Sequence, residues 1–117
     1  MLILLWKSHK LNETLTIKIL SVAFFLASKF TAYHDRGKDP RTSYDFEDII
    51  YVLDNRVNLV NDILEAPKDV RKYLINEFIR LFDKEMEEGI LCHLEPETQS
   101  ERAKLLKSKL LEIINKG

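Results

Sequence analysis

The sequence predicts a mainly α protein, about five helices packed together with a short N-terminal β element. Three observations lead there. Only three glycines, Gly37, Gly89 and Gly117, occur in 117 residues, too few for a large sheet with tight hairpins. Apolar residues recur at helical spacing through the second half of the chain. Ser21, Ser43 and Thr98 stand as caps ahead of apolar runs. The whole chain, 1–117, reads as a single helical domain, with 1–20 a strand or hairpin remnant and 21–117 helices.

Leu15 to Leu20 is rich in β-branched residues, with Thr16 and Lys18 alternating against Ile17 and Ile19. That pattern predicts a short strand, with which residues 2–6 would pair. A helix follows from about Val22 to His34, capped by Ser21. Phe24, Leu26, Ala27, Phe30 and Tyr33 would face the core. Asp35 to Pro40 is the turn, broken by Gly37 and Pro40. Thr42 and Ser43 are both good caps for the next helix. Thr42 and Asp45 have the spacing of a capping box, with Asp in place of Glu. Phe46, Ile49, Ile50 and Leu53 form that helix's apolar stripe.

Val57 to Glu65 reads as a short helix burying Leu59, Val60, Ile63 and Leu64. Pro67 suits a first helical position. From there a helix carries Val70, Leu74, Phe78, Leu81 and Phe82 on one side as far as about Glu87, and Gly89 stops it. Thr98-Gln99-Ser100-Glu101 is a second capping box. The last helix buries Ala103, Leu106, Leu110, Ile113 and Ile114.

Composition narrows the function classes. Net charge is −1, so bulk electrostatics gives no support for nucleic-acid binding. The lone Cys92 excludes an internal disulfide and a cysteine-rich zinc site. His9, His34 and His93 lack metal-ligand spacing. Met1 to Trp6 and Ile17 to Ala27 are apolar but too short to span a bilayer. The expectation is a cytoplasmic protein with no membrane attachment.

The densest grouping of charge lies between Lys29 and Asp48. Lys29 and Arg36 are seven residues apart, about two helical turns, and share a face. Asp45 and Asp48 are three apart and also share one. With Lys38, these cations suit phosphate oxygens, and the carboxylates suit a metal or a general base. Structural ion pairing accounts for the same residues, and such pairs are commoner than active sites. The turn at Gly37–Pro40 is short enough to bring the two helices, and all four charges, together. The basic bias of the last helix (Arg102, Lys104, Lys107, Lys109 and Lys116) reads as a solvated face.

Three segments carry a resemblance. They are Phe25-Leu26-Ala27-Ser28-Lys29-Phe30-Thr31-Ala32-Tyr33, then Asp35-Arg36-Gly37-Lys38, then Ser43-Tyr44-Asp45-Phe46-Glu47-Asp48-Ile49-Ile50. Val52 to Arg56 and Ala66-Pro67 continue the pattern. Together they resemble the C-terminal half of the abortive-infection toxin nucleotidyltransferases, within the DNA polymerase beta-like superfamily. Tyr44 stands where that family often has His, and Ser28 where it often has Thr.

The resemblance implies the C-terminal part of an α+β nucleotidyltransferase from a bacterium. Lys29, Arg36 and Lys38 would be phosphate-side cations, and Asp45 and Asp48 the catalytic acidic partners. Mg²⁺ and a nucleoside triphosphate are implied for the full-length family, and none for this chain alone. The superfamily's catalytic Gly-Gly or Gly-Ser followed by Asp-x-Asp or Asp-x-Glu is missing from these residues, so the chain is expected to be inactive by itself. It looks like a truncated, decayed or split form of the enzyme. Its expected partner is a missing N-terminal half or a second copy in a homodimer. The other reading is a non-catalytic helical module for interaction or oligomerisation.

Overall fold

The computed structural model describes residues 11–37 and 39–117, with side chains from Val22 onward. Among the described residues there are six α-helices and no strand: α1 (Leu11–Arg36), α2 (Tyr44–Asn55), α3 (Leu59–Leu64), α4 (Lys68–Arg80), α5 (Lys84–Leu91) and α6 (Gln99–Lys116). A 3₁₀ turn, Pro96–Thr98, leads into α6.

The 26-residue α1 is the central element. It packs against α2, α3 and α4, while α6 closes the other side against α2, α3, α4 and α5. The α1 face at Val22, Ala23, Phe25, Leu26 and Phe30 meets Phe46, Ile49, Ile50 and Leu53 of α2, Leu59 and Ile63 of α3, and Leu74 and Phe78 of α4 in one connected core. Phe30 and Phe78 meet edge to face at 6.1 Å between centroids, a favourable aromatic geometry. Ala103, Leu106, Leu110 and Ile113 supply the α6 side. No helix of the described residues is long and apolar enough to cross a membrane.

The expected strand at 15–20 is helix. Those residues lie inside α1, so Ser21 is no cap. The β-branched run extends a helix that is already nucleated, which costs one residue's ordering per turn-closing bond rather than a new nucleus. A lone strand would need a partner to be stable. Residues 2–6, its expected partner, lie outside the described residues. Phe24, expected to face the core, is exposed, and its neighbour Phe25 is buried instead.

The turn after α1 follows the glycine. Gly37 has φ +60°, and its N–H donates to the Tyr33 carbonyl at 3.1 Å. This is the left-handed helix end that glycine adopts without steric cost. Ser43 then caps α2, its Oγ accepting from Phe46 N–H at 3.1 Å. The box expected from Thr42 does not form, because the cap is one residue later and Asp45 turns elsewhere.

The long helix expected from Pro67 to Glu87 is two helices, broken at Leu81–Asp83. The expected stop, Gly89, is inside α5 and buried. A β-carbon built there would stand 2.7 Å from Pro40 Cβ, so glycine is there for close approach. Thr98 makes no side-chain cap to α6; the chain enters α6 through the 3₁₀ turn begun at Pro96.

Candidate functional site

The charge cluster sits where α1 ends and α2 begins. Phe25, Lys29 and Arg36 follow one another along one side of α1, and Lys29 Nζ lies over the Phe25 ring at 5.7 Å from its centroid. Asp45 is in the first turn of α2 and Asp48 one turn further. The helix ends assist this pairing. Carboxylates are favoured at a helix N-terminus and cations at a C-terminus, and Arg36 is the last residue of α1.

Lys29 Nζ stands 2.8 Å from Asp48 Oδ2 and 3.4 Å from Asp45 Oδ1. Arg36 Nη1 donates to Asp45 Oδ2. Asp45 is therefore gripped by a different cation on each oxygen. Its side chain is 6% exposed, against 62% for Arg36 and 44% for Asp48. The cluster thus has a buried floor, Asp45, and a wet rim. Burial works to lower the Lys29 pKa, but the bond to Asp48 and the charges of Asp48 and Asp45 outweigh it and hold the ammonium above its ordinary value.

The four residues Lys29, Arg36, Asp45 and Asp48 converge as the short turn implied. Lys38, the fifth candidate, lies outside the described residues. The chemistry available is that of charge pairing. Two cations face two carboxylates, and the cations are oriented from below by Asp45. A magnesium site does not fit these groups. Both oxygens of Asp45 are occupied, and among the described residues no three His, Cys, Asp or Glu side chains are grouped to hold a metal ion.

Two other polar constellations were not singled out in the sequence. Glu77 is buried on α4 and takes a 2.9 Å hydrogen bond from His34 Nε2 of α1. Arg102 of α6 reaches both oxygens of Asp54 at 3.0 and 2.9 Å. The signal for Glu77 was present: a carboxylate inside the stripe Leu74, Phe78, Leu81 must find a partner. For Arg102 and Asp54, 48 residues apart, no local pattern exists.

Comparison of the chain with family models, with curated proteins and with solved structures finds no match in any of the three.

Proposed function

We propose that this chain is the helical portion of a nucleotidyltransferase of the abortive-infection toxin type, cytoplasmic and bacterial, supplying the phosphate-side cations of the site. The observation that carries the reading is the convergence of Lys29 and Arg36 over Asp45. The residues of the family-like segments are those that meet. Arg36 is largely exposed, and the Lys29–Asp48 pair lies at the rim. Phosphate oxygens arriving from solvent would displace Asp48 from Lys29 and leave Asp45 holding both cations in place. Asp45 is a positioning residue in this scheme, and Asp48 the group exchanged.

Metal-assisted transfer needs carboxylates beyond this cluster, so the chain supplies binding and not the complete chemistry. The testing experiment is a titration with pyrophosphate and with ATP, followed by amide shifts. Weak saturable binding at Lys29 and Arg36 is expected, abolished by Lys29→Met at unchanged circular dichroism. Shifts confined to other surfaces would refute the phosphate role. Incubation with labelled triphosphates, Mg²⁺ and candidate acceptors is expected to give no product. Turnover lost in Asp45→Asn would show that the chain is an enzyme by itself.

A second reading, a non-catalytic helical module that self-associates, is favoured by the exposed apolar surface. Tyr44, Tyr51, Val57 and Leu105 are all more than half exposed, and a second copy could cover such side chains. Sedimentation equilibrium at high micromolar concentration separates the readings; a clean monomer ends the second.

A further inference from the structure

A half-enclosed cavity of about 220 Å³ lies between the C-terminal turns of α1 and α4 and the start of α5. Phe30, Leu81 and Met86 give it apolar walls, and Tyr33 presents an aromatic one. Glu77 is in its lining with its side chain only 8% exposed. One oxygen of Glu77 is bonded by His34. Its other oxygen has no hydrogen-bond partner among the described residues, and no buried side-chain atom is left unpaired. That oxygen is therefore accessible to solvent, on a side chain that lines the cavity.

A second cavity of about 400 Å³ adjoins the first and shares Tyr33, Glu85 and Met86 with it. The carboxylates lining the two are Glu77, Asp83, Glu85, Asp39 and Glu88; the guanidinium groups are Arg80 and Arg41. Arg41 is already committed to Asp39 at 3.0 Å and Glu88 at 3.5 Å. Five carboxylates against two guanidinium groups make the lining net negative, with one oxygen of the largely buried Glu77 free of hydrogen bonds. The Tyr33 hydroxyl registers this field: burial first, then the charges of Asp39 and Glu77, hold its pKa above the ordinary tyrosine value.

We infer that this cleft binds a small organic cation, a primary ammonium or guanidinium on a short alkyl stem. The head would meet the free oxygen of Glu77, beside the Tyr33 ring. A charge-assisted hydrogen bond and a cation–π contact both favour that placement. The stem would lie on Phe30, Leu81 and Met86. A bare metal ion is the poorer fit. The first cavity has room for several waters at about 30 Å³ each, and no three ligating groups are gathered there among the described residues. The same chemistry is carried by a free di- or polyamine and by a lysine or arginine side chain of a polypeptide. The inference is independent of the phosphate role given to Lys29 and Arg36.

The experiment is a calorimetric titration of the full chain with agmatine, paired with amide shift mapping. Saturable binding is expected, with shifts at Tyr33, His34, Glu77 and Met86, and none with 1-butanol. Glu77→Gln keeps an acceptor for His34 and removes the charge, so affinity should fall about tenfold or more. Glu85→Gln, at an exposed position, should weaken binding about threefold with no change in melting. It reads the site if Glu77→Gln fails to fold. A second arm uses acetyl-Gly-Arg-Gly-amide. Tighter binding of the peptide than of agmatine assigns the cation to a polypeptide, and the reverse assigns it to a free amine. No saturation by either at millimolar concentration overturns the inference. So does binding that both Glu variants leave unchanged.

Discussion

The ammonium of Lys109, midway along α6, lies 3.0 Å from the carbonyl oxygen of Leu53 near the end of α2. It is also 3.2 Å from the Asp54 carbonyl and 3.5 Å from that of Arg56. The last carbonyls of a helix have no partner within it. Here a side chain from another helix supplies one, with the charge sign that the helix end favours. Lys109→Met removes this cap and should cost about 1–2 kcal/mol, read by urea denaturation.

The two clustered lysines should respond oppositely to alkali. Burial pushes the Lys109 pKa down and Arg102 adds to this, against the opposing pull of Asp54. Between its lowered folded value and the ordinary one, the unfolded chain binds more protons, so the contribution of Lys109 rises with pH. Lys29 is raised. Its contribution is complete below the ordinary lysine value and is lost as pH rises through the folded one. Urea melts between about pH 8 and 11, comparing wild type with Lys29→Met and with Lys109→Met, should give differences of opposite slope. Parallel slopes would mean that neither environment acts as described.

At the charge cluster, Asp45→Asn should cost more than Lys29→Met. The first strands Arg36 and weakens the hold on Lys29; after the second, Asp45 keeps Arg36. Losing the buried carboxylate costs about 2 kcal/mol, since Arg36 is largely exposed and Lys29 keeps Asp48, and the lysine change about 1 kcal/mol. The double variant should recover about 1 kcal/mol of the sum. Additive losses would show that Lys29 and Asp45 do not interact.

Gly89→Ala is expected to destabilise although alanine is the better helix former. The new β-carbon would lie 2.7 Å from Pro40 Cβ and 3.4 Å from the Phe46 ring. Overpacking of that kind costs about 1–3 kcal/mol, against a propensity gain of at most about 1 kcal/mol. A raised melting temperature would contradict the contact.

The two helix caps should separate cleanly. Ser43→Ala removes the bond to Phe46 N–H and should cost about 1 kcal/mol. Thr98→Ala removes no side-chain cap and should be nearly neutral in the same thermal melts.

Local chemistry explains what could be read in advance. The stripe Phe46, Ile49, Ile50, Leu53 and the stripe Ala103, Leu106, Leu110, Ile113 each lie on one helical face, and both are buried. Lys29, Arg36, Asp45 and Asp48 could be brought together on paper because one short turn separates their helices. The segment at 15–20 was misread because β-branched residues favour strands only weakly, and an adjoining helix decides the outcome. The break at Leu81–Asp83 was invisible because the apolar spacing runs unbroken through it. The reason for the break is distant: it lets Gly89 and Ile90 turn inward, Gly89 onto Pro40. Glu77 and His34, 43 residues apart, were two unremarkable polar residues until α1 and α4 were placed side by side.

His93 Nε2 lies 2.9 Å from the Pro40 carbonyl oxygen, Cys92 Sγ is 3.8 Å from that of Arg41, and Gly89 itself abuts Pro40. The loop that sets the angle between α1 and α2 is therefore clamped by a segment about fifty positions downstream. During synthesis, the corner bearing Lys29 and Asp45 has no backstop until α5 and the residues after it have left the ribosome. Shortening the chain before Gly89 would leave both helices and their shared core able to form, but would remove the contacts that hold the loop at Pro40 and Arg41 from behind.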